Sequence, residues 1–212
     1  MDNIARPRLT LLSDAQIEAV HEASLVILSE SGLRVDSERA RKVFAGGGAR
    51  IEGDRVYLHR EIVDAAIETA PATIDIFDRS GRPAFRLGDG ETRFGVGVTN
   101  LWYQDPMTDE LTPFARAHMG SGVRLCEALP SYDVISTLGV LRDLPPQVAD
   151  LFAVLEMVAN STKPLVLLIS DEKLYPQVLK LLDALHGELG EKPFAIPYLN
   201  PITPLVVNEG TS

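Results

Sequence analysis

The sequence predicts an α/β protein: an N-terminal α+β region over residues 1–131, followed over 132–212 by the first strands and helices of an incomplete (β/α)8 TIM barrel. Three observations point there. From Asp133 to Pro204 the chain reads strand, helix, strand, helix, strand, a repetition at about thirty residues that marks the βαβ crossovers of doubly wound sheets and of (β/α)8 barrels alike, the barrel being the one the family resemblance below implies. Within it, Leu165–Ile169 (LVLLI) is apolar on both faces, as an interior parallel strand must be when crossover helices cover both sides. Finally, a complete barrel takes roughly 250 residues, so one opening near Asp133 would outrun the 212 residues here and is expected to be truncated.

Taken in order, Ser13-Asp-Ala-Gln16 is a capping box, in which two side chains three residues apart satisfy free backbone N–H groups; the helix it opens runs to about Ser31 and ends at Gly32. Asp36 or Ser37 starts a short second helix that stops at Gly46-Gly47-Gly48. No Lys-Ser/Thr follows those glycines, so they read as a left-handed cap and turn and not as a phosphate cradle. Ile51 and Val56–Leu58 flank Gly53-Asp54 as a hairpin, and Arg60–Ala70 is an amphipathic helix closed by Pro71. Ile74, Ile76, Phe85 and Leu87 alternate with polar residues, giving two half-buried antiparallel strands joined at Arg79–Pro83. Thr92–Thr99 is Gly-interrupted strand and Asn100–Glu110 a long polar loop carrying Trp102 beside Tyr103. Thr112-Pro113 reads as an N-cap with proline at the first helical position, which predicts helix over Phe114–Leu129.

The barrel-like part opens with Val134–Val140 and a helix over Gln147–Asn160 whose Leu151, Phe152, Leu155 and Val158 fall at helical spacing. After LVLLI, Ser170 or Asp171 is placed to cap a helix bearing Leu174, Val178, Leu181, Leu182, Leu185 and Leu189, with Gly190 at its end. Phe194–Leu199 is the third strand, stopped by Asn200-Pro-Ile-Thr-Pro204, where two prolines withhold ladder N–H groups. Asn200 lies at the carboxyl end of a parallel strand, where barrel enzymes place ligand-contacting groups, and equally where an Asx turn is at home.

Composition narrows the function. With 45% hydrophobic and 24% charged residues the chain has the material for a core, so disorder is not expected. Its net charge of −10, with dispersed basic residues, argues against nucleic acid as a partner. The longest apolar runs are far shorter than the roughly 18 residues of a membrane span, and no signal-like apolar segment opens the chain, so a cytoplasmic protein is expected. The single Cys126 excludes an intramolecular disulfide and reads as a small buried residue. His21, His59, His118 and His186 stand apart from each other and from cysteine, so no metal site is expected. Ser170-Asp-Glu-Lys173 matches an acyl-transfer motif but lacks its partner motifs, Gly95-Val-Gly97 lacks the third glycine of a dinucleotide fingerprint, and Asn160-Ser-Thr162 is a sequon without meaning in the cytoplasm.

Several segments, spanning nearly the whole chain, resemble the trimethylamine methyltransferase family, corrinoid-dependent enzymes that include pyrrolysine-containing members and relatives lacking pyrrolysine. They are the Gly32–Val35 helix exit, HREIVDAAIETAP at 59–71, FGVGV at 94–98 with YQDPMTDELTP at 103–113, LPSYDVIS at 129–136 and NPITPLVVNEGTS at 200–212. The resemblance implies a (β/α)8 barrel and methyl transfer from a methylated or quaternary, betaine-like amine to a corrinoid (cobalamin) on a partner protein, with no cofactor bound by this chain directly. It supplies no catalytic residue at a matched position, and the pyrrolysine position of members that have one lies beyond Ser212. The substrate contacts it suggests are Trp102, Tyr103, Tyr198 and Asn200, ring faces being the natural partners of a cation that cannot donate hydrogen bonds. Trp102 and Tyr103 fit a cationic-ligand box or packing between layers. Two functions stay open: the start of a methyltransferase, inactive alone, and a non-catalytic binding or assembly module completed by another chain or by self-association through the apolar edge of the third strand.

Overall fold

In the computed structural model, which describes residues 10–170, 172–186, 192–198 and 205–207, the capping box at Ser13 and Gln16 forms as the sequence dictates. Ser13 N–H donates to Gln16 Oε1 at 2.9 Å and opens α1 (Asp14–Val26). The last turn of that helix widens to π geometry over Ile27–Ser31 and stops at Gly32. Glycine is required there: φ is +69°, and a Cβ would stand 2.7 Å from the Val56 carbonyl oxygen. β1 (Leu33–Val35) follows, then α2 (Glu38–Gly46), whose first turn is capped by the Ser37 hydroxyl. β2 (Arg50–Glu52) and β3 (Arg55–Tyr57) form the expected hairpin around Gly53, and α3 (Arg60–Thr69) is tied to α1 by the Arg60–Glu22 ion pair. These elements belong to the first of two compact units, residues 1–70 with 201–210.

The second unit, residues 71–200, opens with the antiparallel pair β4 (Ile74–Phe77) and β5 (Pro83–Leu87). Residues 94–100 then run parallel to 134–139, with bridges at Gly95–Val134 and Asn100–Gly139. Both glycines permit this approach. A Cβ on Gly95 would lie 2.7 Å from Val134 Cγ2, and one on Gly139 2.7 Å from the Asn100 carbonyl oxygen. The Gly-Val-Gly run is thus strand packing, and the parallel arrangement reaches upstream of residue 132.

Here the structure corrects two local expectations. Trp102 and Tyr103 do not sit in a loop but in β6 (Trp102–Gln104), paired antiparallel with β7 (Leu111–Pro113). Their turn is held by the Asp105 carboxylate, which accepts the N–H groups of Met107 and Thr108. Thr112 and Pro113 therefore belong to a strand, and α4 (Arg116–Ala128) starts later. His118 Nδ1 accepts the Ala115 N–H at 3.0 Å, and the Asp143 carboxylate accepts the Arg116 N–H at 3.0 Å, so the cap comes from 27 residues downstream. The local Thr-Pro signal loses because its residues are committed to the hairpin.

Next come β8 (Ile135–Ser136), α5 (Pro146–Asn160) and β9 (Leu165–Leu167). Ser170 turns its N–H and hydroxyl to the Asp150 carboxylate, and a 3-10 turn at Glu172–Leu174 leads into α6 (Tyr175–His186); Asp171, the other residue expected to cap this helix, lies outside the described residues, as do Leu189 and Gly190. β10 (Ala195–Pro197) completes a parallel sheet of order β10-β9-β8, with 94–100 along the other side of β8. The strands thus lie in chain order without reversal. α4 packs on α5 and α5 on α6, burying Met119, Val123, Met157 and Val178 against Ile135 and Leu165. Cys126 joins that core, and burial pushes its thiol pKa up. Unanticipated from the sequence is β11 (Val206–Val207), which pairs parallel with β1 in the first unit. The architecture is mixed α/β, with no closed sheet among the described residues. No helix among them is long and apolar enough to cross a membrane.

Candidate functional site

In a parallel sheet every strand delivers its following loop to the same edge, so residues far apart in sequence converge there. Among the described residues the chain leaves that edge four times: at Asn100 into the β6–β7 hairpin, at Val140 into the segment before α5, at Leu168 before α6, and at Tyr198. Trp102, Arg142, Ser170 and Tyr198 each follow one of these strand ends. The hairpin that the sequence assigns to an N-terminal layer is therefore a connection at the carboxyl edge of the parallel sheet.

Between the second and third connections lies a cleft of about 360 Å³, lined by Leu141, Arg142, Leu144, Ala149, Asp150 and Ser170 among others. Its walls are largely aliphatic. Asp150 is only 7% exposed, and its carboxylate accepts the Ser170 N–H at 2.7 Å and the Ser170 hydroxyl at 3.3 Å. Charge-assisted bonds of this kind hold a carboxylate in an apolar setting. Tyr175 stands near, its buried hydroxyl without a hydrogen-bond partner among the described residues, and its pKa is raised by burial and by the charge of Asp150.

Arg142 sits on the rim. Its N–H donates to the Phe114 carbonyl at 2.8 Å, which fixes the backbone, and its guanidinium lies over the Trp102 ring at 5.2 Å from the centroid, within cation–π range. Trp102 itself is 55% exposed. Tyr103 is its neighbour in β6, and successive strand residues point to opposite faces. Tyr103 accordingly turns the other way and stacks on His118, ring centroids 4.0 Å apart and planes 8° from parallel. The two aromatics do not share a face. Tyr198, half-exposed, donates its N–H to the Leu167 carbonyl at the end of β10. Asn200 lies outside the described residues.

Sequence reasoning did not single out Arg142 or Asp150. The signal was available: the rule that drew attention to Asn200, a polar group just past the carboxyl end of a parallel strand, applies equally to Leu-Arg-Asp at 141–143. No group of three or more His, Cys, Asp or Glu residues among those described could hold a metal ion. What the arrangement can do is hold a small, mostly apolar, charged molecule between aliphatic walls, one guanidinium and one buried carboxylate, with the Trp102 ring against that guanidinium.

Residues 2–211 match the model of a family described as trimethylamine methyltransferase. Among similar proteins, the trimethylamine methyltransferase MttB of Desulfitobacterium hafniense (strain DSM 10664 / DCB-2) is 28% identical over 208 residues, covering 94% of this chain and 41% of the relative. The glycine betaine methyltransferase of Desulfitobacterium hafniense (strain Y51) is 26% identical over 209 residues, covering 96% of this chain and 43% of its own length. A proline betaine:corrinoid methyltransferase of Eubacterium limosum is 37% identical over 70 residues, 33% of this chain and 14% of that protein. The chain spans about two fifths of the length of the first two.

Proposed function

The chain belongs to the trimethylamine methyltransferase family, and from that premise we propose that its site takes a methylated or quaternary, betaine-like amine and presents an N-methyl carbon to the reduced cobalt of a corrinoid carried by a separate protein. The relatives' names support both halves, trimethylamine and glycine betaine as donors and corrinoid as acceptor. The observation that carries the reading is the gathering of Arg142, Asp150 and Ser170 about an aliphatic cleft at the carboxyl edge of the parallel sheet, with the Trp102 ring against the Arg142 guanidinium. Strands lying in chain order, with helices packed in the same succession, support that sheet as one arc of a (β/α)8 barrel, whose ligands bind at this edge.

A quaternary ammonium cannot donate hydrogen bonds, so ring faces, aliphatic walls and diffuse negative potential must hold it; a ring face contributes about 0.5 to 2 kcal/mol. Trp102 and Tyr198, with Asn200, are the contacts of this reading, while Tyr103 braces the hairpin through His118. The corrinoid is the methyl acceptor, a second substrate: its reduced cobalt supplies the electron pair of the new bond to carbon, and the C–N pair stays on nitrogen, leaving an amine with one methyl fewer. The protein's part is to fix the N-methyl axis and exclude water, an effect of orientation that requires no side-chain nucleophile. A cleft of about 360 Å³ suits a small amine and is far too small for a corrin macrocycle. To test this, the complete gene product is incubated with methylated amines and a corrinoid protein in the reduced state. Equimolar demethylated amine and the spectral change of methylated cobalt are expected; no demethylation of any tri- or tetramethylated ammonium compound overturns the reading.

A further inference from the structure

We propose that His118 is a positioning residue for Trp102: only with a neutral imidazole does it cap α4 and hold the β6–β7 hairpin at the carboxyl edge of the parallel sheet. The inference rests on the amine-binding reading only in taking Trp102 as a contact. Its warrant is a chain of short links. His118 Nδ1 accepts the Ala115 N–H at 3.0 Å, and its ring lies flat on Tyr103, centroids 4.0 Å apart, with Phe114 edge-on at 5.8 Å. Phe114 and Ala115 are all that separates the end of β7 at Pro113 from the start of α4 at Arg116. Pro113 is the register partner of Trp102, and Phe114 N–H donates to the Leu101 carbonyl at 3.1 Å. The cap therefore fixes the strand that carries Trp102 on one face and Tyr103 on the other.

Because Nδ1 accepts the Ala115 N–H, the proton of the neutral ring sits on Nε2. A second proton can go only to Nδ1, where it turns the acceptor into a donor facing another donor. It also sets positive charge at the N-terminus of α4, the positive end of the helix dipole. The charged groups at this helix start are Arg116, paired with Glu156 of α5, and, from the segment before α5, Asp143, whose carboxylate accepts the Arg116 N–H. Arg142, from the same segment, lies against Trp102. β6 brings the Tyr103 ring, and β7 the uncharged Thr112 opposite it. Among the described residues no carboxylate lies within ion-pair distance of His118, so nothing there offsets the lost cap.

Trp102 is the single tryptophan of the 212 residues. Difference emission spectra between the complete gene product and its Trp102→Phe variant therefore read the hairpin directly. They are recorded from about pH 8 to pH 5, the interval over which imidazoles gain a proton, with His118 native and replaced in His118→Gln and His118→Leu. Glutamine at this third helical position keeps an acceptor for the cap N–H and takes no proton. The native spectrum is expected to pass in one step from an alkaline to an acid form, His118→Gln to keep the alkaline form throughout, and His118→Leu to show the acid form at every pH. A native spectrum that does not change, or a change that persists in His118→Gln, overturns the assignment; if His118→Leu does not fold, the comparison with His118→Gln decides alone. Tetramethylammonium titrated calorimetrically into the same proteins separates the two readings. Affinity lost in acid by the native protein but not by His118→Gln supports both, whereas binding to neither at any pH overturns the amine reading while the spectra still decide on His118.

Discussion

Gly139 stands where the 94–100 segment meets β8, and its lack of a side chain is what lets the Phe114 ring and the Asn100 carbonyl close over it; a Cβ would meet them at 2.6 and 2.7 Å. One of those neighbours is backbone and cannot rotate away. Gly139→Ala is therefore expected to cost about 1–3 kcal/mol, read as a lower denaturation midpoint in urea. Glu127 offers a pH-dependent case. Burial raises its pKa, but the Ser161 and Thr162 hydroxyls, the Thr162 N–H and Lys163 outweigh that and hold it below the usual glutamate range. Because the folded value is depressed, the stabilisation is fully present above about pH 4.3 and is lost as pH falls through the folded value. Denaturation midpoints of wild type should thus drop more steeply with acid than those of Glu127→Gln; parallel curves would sink the assignment. Trp102 and Tyr103 illustrate the limit of reading residues singly. Both are aromatic and adjacent, yet strand alternation gives one to the Arg142 guanidinium and the other to His118.

At the scale of elements, the starts of α1 and α4 make a useful pair. Both sequences carry a plausible cap, but only the first is used, because Ser13 and Gln16 have no competing role. Thr112 and Pro113 pair with Tyr103 and Trp102 and leave α4 to be capped by His118 and by Asp143. Asp143→Ala is expected to destabilise by roughly 0.5–2 kcal/mol, the usual worth of an N-cap, whereas Thr112→Ala should cost clearly less. Equal losses by chemical denaturation would mean that the local cap matters after all. The other end of α4 is also held from afar: Lys163 donates to the Cys126 and Leu129 carbonyls at 2.7 Å each, satisfying acceptors a helix terminus leaves open. Two long-range side chains thus clamp α4 between the connections that flank α5.

For the whole molecule, the open question is the far side of β10. Leu165 N–H donates to Phe194 O and Tyr198 N–H to Leu167 O, so by strand alternation the backbone of Ala195 and Pro197 faces away from β9. Among the described residues nothing pairs there, and Pro197 presents no N–H to a further strand on that side. Self-association through this edge is therefore expected to be weak, and Pro197→Val, which restores the donor, should shift sedimentation velocity profiles of the chain toward larger species at a given concentration. No shift would mean that β10 is not where copies meet. The sequence by itself determined the elements whose signals are local: the capping box at Ser13, the hairpin at Gly53, the stripe of α5 and the buried run of β9. It also determined the parallel alternation of strand and helix, since LVLLI has no polar face to offer solvent. Only the tertiary structure decided that residues 94–100 join the parallel set, that Trp102 and Tyr103 part company, that Asp143 caps α4, and that Arg142 lies on Trp102 beside Asp150. Local signals are hydrogen bonds and side-chain periods within about four residues. The rest depends on strand register and on which distant group reaches an open N–H first, and those are settled by packing across tens of residues.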